Sequence, residues 1–173
     1  TEIQSPNGGT KQEAPALFEV DVDFIKHFGL QMAAGRAYSR DFPADTAKAL
    51  IINEAAAKLF GYTDPQKIIG KHFQQWGREG QVIGVVKDFN YLSLHKKIEP
   101  LALRLEPMSS RYFTLKVKPE NMQATIAGLK KVWTNVAPQR PFLYSFLDES
   151  FGRQYEADIR FRGLFTFFSG FAI

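Results

Sequence analysis

Between Leu17 and Asp23, the apolar residues Phe18, Val20 and Val22 alternate with Glu19, Asp21 and Asp23. This is the period-two pattern of a half-buried strand. A short helix is predicted over 24–28, closed by Gly29, and a further strand over 31–34 that ends at Gly35 and Arg36. Residues 39–46 are polar, contain Pro43 and read as a loop. Ala49–Asn53 is an apolar strand that ends in a helix cap, because the Asn53 side chain can accept a hydrogen bond from a free amide of the next turn. Residues 54–60 have high helix propensity, and Gly61 supplies the left-handed stop. After a turn at 63–66, the segments 70–76 and 81–86 flank Gly77–Gly80 as a β-hairpin with a glycine-rich loop. Leu101–Leu105 is another strand.

In the last third, Phe113, Leu115 and Val117 lie on one face of a predicted strand over 112–118, opposite Thr114, Lys116 and Lys118. Pro119 is placed to start a helix. Met122, Ile126, Leu129, Val132, Trp133 and Val136 then recur at helical spacing, and Pro138 ends the helix. A strand over 142–147 completes a β-α-β unit. Asp148 or Ser150 caps a final helix that carries Phe151, Tyr155 and Ile159 four residues apart.

Composition narrows the function. The chain has 173 residues and 16 Phe, enough for a sizeable core. It has no cysteine, which excludes a disulfide framework, thiolate catalysis and cysteine-ligated zinc. The net charge of +4 is mild, and the densest basic clusters, Lys96–Lys97 and Lys130–Lys131, are pairs rather than the concentrated face of a nucleic-acid binder. Residues 1–16, polar and rich in Gly, Pro and Gln, read as a flexible lead-in.

No residue set announces catalysis. His27, His72 and His95 are far apart and form no H-x-x-x-H or H-E-x-x-H pair, so no metal site and no cofactor is expected. Asp21 and Asp23 share one side of a strand and read as a solvated face. Asp88-Phe89-Asn90 follows a strong strand, but Asn90 stands where a kinase has glycine and no phosphate loop precedes it. A turn in which Asp88 or Asn90 bonds its own backbone is expected there. Arg111–Lys118 mixes aromatic residues with lysines but lacks the glycines of an RNA-binding strand.

The run Gly163–Ile173 carries no charged residue. Spanning a bilayer takes about 20 such residues. The run is therefore either a sticky helix end or the first part of a membrane helix. Leu164, Phe165, Phe167 and Phe168 make it apolar all round rather than striped, which favours the membrane helix. The amphipathic helix before it would then join domain to membrane as one rod. On this reading Phe151, Tyr155, Ile159, Arg160 and Arg162 are the candidate coupling stalk, the arginines lying where anionic head groups would meet them.

The order of these segments resembles the periplasmic core domain of MacB/FtsX-type ABC transporter permeases. The matching pieces are Val22–Ile25 with Gly35-Arg36, Ile51–Ala55 through Leu59–Gly61, Ile69–Lys71, Val82–Asn90, Ser93–His95, Ile98–Pro100, and the end from Phe161 to Ile173. The resemblance implies an α+β, two-lobed periplasmic domain. A porter-like β-α-β lobe (17–36 and 108–150) would carry an inserted mixed α/β lobe (37–107), followed by a stalk helix that enters a transmembrane helix (151–173). It further implies a non-catalytic part of an inner-membrane permease lying on the periplasmic side. That permease would work with a cytoplasmic ATPase subunit, pair with a second permease copy as a dimer and, in one branch, meet a periplasmic adaptor or exit duct. The alternative is a ligand-sensing ectodomain of a membrane receptor.

Overall fold

All five residues of β5 (Ala49–Asn53) are buried, and the sheet is organised around them. A computed structural model describes residues 1–92, 96–109 and 112–147. The chain divides into two compact units, Thr1–Phe113 and Thr114–Ile173.

The first unit is built on a mixed eight-stranded sheet. Its strands are β1 (Glu2–Gln4), β2 (Thr10–Gln12), β3 (Ala16–Val20), β4 (Met32–Gly35), β5, β6 (His72–Gln75), β7 (Arg78–Val86) and β8 (Leu101–Leu105). The order is β2-β1-β6-β7-β5-β8-β3, with β4 also paired to β7. The β5–β7 and β3–β8 pairs are parallel. The nine residues of β7 pair with β6 through the first half and with β4 through the second.

β5 shows why its sequence is apolar from Ala49 to Ile52. Leu50 and Ile52 face one core, made by Ala56, Ala57, Phe60, Tyr62, Ile68, Phe73, Val82 and Val85. Ala49 and Ile51 face the other, made by Val20, Ile25, Tyr38, Val86, Leu101, Leu103 and Leu105. A strand covered on both faces favours an unbroken apolar run, and polar Asn53 stands only at its end. The short helices α1 (Phe24–His27), α2 (Asp45–Lys48) and α3 (Glu54–Leu59) complete the layers. α2 lies so close to β7 that a Cβ on Gly80 would sit 2.0 Å from the Lys48 carbonyl oxygen.

The structure departs from the sequence pattern in several places. Residues 1–16, expected to be a flexible lead-in, contain the β1–β2 hairpin, and β1 pairs on its other side with β6. Only Ile3 of this hairpin is buried, so its strands come from tertiary pairing that local alternation does not reveal. α2 forms one helical turn at the end of the expected loop 39–46. The hairpin loop is shorter than Gly77–Gly80: Gln75 pairs with Arg78, leaving only Trp76 and Gly77 in the turn. β3 and β4, from 17–36, share one sheet with β5 to β8, from 37–107, so the expected lobe boundary falls inside that sheet.

In the second unit, α4 (Met122–Val136) begins after Asn121, whose φ of 63° ends any helical run from Pro119. Asn tolerates this left-handed conformation better than most residues. Segments 112–118 and 142–147 form no strand among the described residues. Phe113, Leu115, Leu143 and Leu147 are exposed, so no facing apolar surface that would select a strand register covers them among the described residues. The indole N–H of Trp133 donates to the Arg140 carbonyl at 3.0 Å and ties the helix end to the chain beyond Pro138.

Candidate functional site

The residues with chemical potential are mostly engaged in holding the fold. His27 is exposed at the end of α1, its ring 5.3 Å from that of Phe28. His72 is exposed on β6, with its Nε2 3.9 Å from the Glu79 carboxylate. His95 lies outside the described residues. No group of three or more His, Cys, Asp or Glu is placed to hold a metal among the described residues. Asp21 and Asp23 are not on a strand face, because β3 ends at Val20. The Asp21 carboxylate accepts from the Asp23 backbone N–H at 3.1 Å. Asp23 receives both Nη atoms of Arg40, at 3.1 and 2.6 Å. Those hydrogen bonds hold the Asp23 carboxyl below its ordinary range.

Asp88 reaches beyond its own turn. Its Oδ1 accepts from the Ala55 N–H at 2.8 Å, and its own N–H donates to Glu54 Oε2 at 3.0 Å. The segment after β7 therefore clasps the start of α3, where free amides need acceptors. Asn53 does more than cap this helix. Its Oδ1 accepts from the Ala56 and Leu101 N–H groups, and its Nδ2 donates to the Glu99 carbonyl, each at 2.9 Å. One buried amide thus joins the end of β5, the start of α3 and the entry to β8.

On the other face, Arg36 forms a bidentate pair with buried Asp45 at 2.6 and 2.8 Å. Its guanidinium lies 4.0 Å from the Phe42 ring centroid. The Tyr38 hydroxyl donates to the Leu103 carbonyl at 2.7 Å, and burial raises its pKa above the ordinary 10.0.

An accessible surface of mixed chemistry is at the tip of the β6–β7 hairpin. Trp76 is 75% exposed there, with the Arg104 guanidinium 5.6 Å from its ring centroid. Arg104 pairs with Glu19 at 2.5 Å, Ser109 also bonds Glu19, and Arg78 bonds Glu106 and, at 2.9 Å, the Thr46 carbonyl. Beside the indole is an open depression of about 480 Å³, lined by Thr1, Gln12, Glu13, Ala14, Pro15, Gln75 and Trp76. The expected stalk residues Phe151, Tyr155, Ile159, Arg160 and Arg162 lie outside the described residues, as does the apolar run after them. No helix among the described residues is long and apolar enough to cross a membrane.

Neither a protein-family model nor a curated protein matches this sequence. Solved structures do. The periplasmic region of MacB from Actinobacillus actinomycetemcomitans matches over 90% of this chain and 71% of its own, with a TM-score of 0.59 at 15% identity. The fold is MacB-like. A domain of a putative permease protein from Porphyromonas gingivalis matches over 87% of this chain and 73% of its own, with a TM-score of 0.46 at 16% identity. Within the MacB-like fold, sequence reasoning found Asn53 as a cap but missed its two further bonds, which depend on residues more than forty positions away. It also passed over Trp76. The signal was present: a Trp-Gly pair between two strand patterns occupies turn positions that favour Asn-Gly.

Proposed function

We propose that this chain is the extracytoplasmic domain of an ABC transporter permease, a non-catalytic part that passes on motion driven by a cytoplasmic ATPase. The observation that carries this reading is the MacB-like fold over 90% of the chain. The first unit has the construction such a part needs. A strand buried on both faces, a bidentate ion pair to buried Asp45 and the Asn53 junction resist deformation, and densely packed interiors transmit displacement rather than absorb it. In this scheme the protein lies at the inner membrane with this domain on the periplasmic side. Its partners are the ATPase subunit, a second permease copy and a periplasmic adaptor or exit duct. The stalk around Phe151, Tyr155, Ile159, Arg160 and Arg162 joins the domain to the membrane.

The test is a glycine pair inserted beside Asp158 in the full-length protein, reconstituted with its ATPase. ATP hydrolysis is expected to continue and transport to fall to background, with the domain still folded by circular dichroism. Preserved transport overturns the stalk assignment. Sequence beyond Ile173 tests the class of protein: three more membrane helices support a permease, whereas a kinase or methyl-acceptor region moves the chain to a ligand-sensing receptor.

A further inference from the structure

Segment 36–48 joins β4 to β5 and makes most of its backbone hydrogen bonds with itself. The Phe42 N–H donates to the Ser39 carbonyl at 3.1 Å and the Asp45 N–H to the Phe42 carbonyl at 2.9 Å. The Ala47 and Lys48 N–H groups both donate to the Ala44 carbonyl, at 3.1 and 2.9 Å. Its backbone bonds the sheet at its first residue, where the Arg36 N–H donates to the Ile83 carbonyl at 3.0 Å. Buried backbone groups must find partners, and a segment that supplies its own keeps them whether or not it lies on the sheet. It has the build of an Ω-loop, a compact surface segment held by its own contacts.

Both ends of the segment rest on β7. Arg36 lies against Gly84 and Lys48 against Gly80, so closely that a Cβ on either glycine would overlap the backbone carbonyl beside it. Between the ends, Tyr38 and Asp45 are buried, while Arg40–Ala44 and Thr46–Lys48 are exposed. Tyr38 belongs to the core that contains Ile51 and Leu103. A segment with so little buried apolar surface opens at a lower free energy than the strands beneath it.

A charge pair closes it. Arg36 reaches Asp45, nine positions on, with both Nη atoms, and the Phe42 ring lies 4.0 Å from the guanidinium carbon. The Asp45 side chain is 6% exposed. A carboxylate so placed is costly without its partner, so closing the segment requires the pair. The other polar ties are weaker. Arg78 donates to the Thr46 carbonyl from an exposed site, and the Arg40–Asp23 pair lies largely in water, where ion pairs contribute little. We propose that residues 36–48 are a latched strap, which opens as a unit while the sheet stays folded and which the Arg36–Asp45 pair holds shut. Opening withdraws Tyr38 from its core and releases the start of α1 from Arg40. This property is independent of the permease reading.

Amide exchange of the full chain, followed through low urea concentrations, tests it. The Asp45, Ala47 and Lys48 amides are expected to exchange at least about tenfold faster than those of Ile51 and Ile52. Their exchange should also depend weakly on urea, because opening the strap exposes little surface. Arg36→Gln is expected to speed exchange in the strap about tenfold or more. Arg36→Lys keeps the charge without the fork and should speed it less. The weak urea dependence should persist in both variants. The proposal is overturned if the strap amides share the rate and urea dependence of Ile51, since the segment would then open only with the whole unit. It is equally overturned if Arg36→Gln leaves strap exchange unchanged. Where Arg36→Gln does not fold, the native chain and Arg36→Lys decide by the same two measures.

Discussion

β5 and α4 are both regular, apolar-rich segments, yet they carry their apolar residues in opposite ways. Each residue of β5 is buried, and the strand separates two cores. α4 has no buried residue within the description of its unit: Ile126, Leu129 and Trp133 are half-buried, while Val132 and Val136 are exposed. An apolar stripe at helical spacing shows that a face can be covered; only packing shows that it is. Among the described residues, burial is therefore concentrated in the sheet of the first unit, and α4 presents apolar surface. A stability measured on the whole chain will conflate the two, whereas amide exchange resolves them element by element.

The contrast is broken or confirmed most directly by truncating one side chain in each element. Ile51→Ala leaves a cavity in the core that also holds Tyr38 and Leu103, and is expected to cost about 2–5 kcal/mol. Val136→Ala, at a position 79% exposed, should stay within about 0.5 kcal/mol. Amide exchange read separately in β5 and α4 of both variants tests the pair. Equal losses would mean that α4 is buried as deeply as β5. Asn53→Ala follows in size. It removes the α3 cap and leaves the Leu101 N–H and the Glu99 carbonyl without their partner, for an expected loss of about 1–3 kcal/mol. Exchange should accelerate at Ala56 and Leu101 before it does in β6. Unchanged protection at Leu101 would show that water replaces the amide without penalty.

The same contrast explains what the sequence made legible. Where local pattern and burial agree, as in 49–53, 54–60 and 101–105, strand, cap, helix and stop all stand in the structure as read. Asn53 was visible as a cap because capping is local. Its bonds to Glu99 and Leu101 were not, because they depend on β8 being adjacent to β5. The β1–β2 hairpin was invisible for a related reason: with Ile3 as its one buried residue, its order comes from pairing with β6. Segments 112–118 and 142–147 erred in the other direction. They alternate well enough to suggest strands, but a strand also needs a neighbour, and alternation does not provide one. Asp88 was recognised as a polar turn residue, while its true acceptor role lies at Ala55, more than thirty positions earlier. The candidate stalk rested on helical spacing in a segment that the structure does not describe.

A smaller effect distinguishes the sheet core by pH. Burial raises the Tyr38 phenol above its ordinary 10.0, and Tyr62 and Tyr91 are raised by burial as well. Below about pH 9 these groups are protonated in both the folded and unfolded chain, and contribute no slope. Above about pH 10 the unfolded chain releases protons that the folded chain retains, so stability falls as pH rises, by up to about 1.4 kcal/mol per pH unit for each such group. Tyr38→Phe is expected to make this alkaline decline shallower, while losing the bond to the Leu103 carbonyl at all pH values. Urea midpoints measured from pH 8 to pH 11 test it. An identical slope in the variant would show that Tyr38 ionises freely and is not shielded in the core.

The smallest effect belongs to α4 itself. Gly128 sits near the middle of this helix, and a Cβ built there meets no atom of the described residues within 4 Å beyond the helix's own backbone. Its φ lies outside the left-handed range, so alanine fits the backbone without strain. Glycine in a helix interior is less favourable than alanine by about 0.8–1.0 kcal/mol, because it gives up more backbone freedom on folding. Gly128→Ala should therefore stabilise α4 by up to about 1 kcal/mol. Because a Cβ there meets no described residue outside the helix, the gain should appear as slower amide exchange along 122–136 and leave β5 and β8 unchanged. Slowing in the sheet as well would show that the two units unfold as one cooperative body, and the contrast between them would then describe burial rather than separate stability.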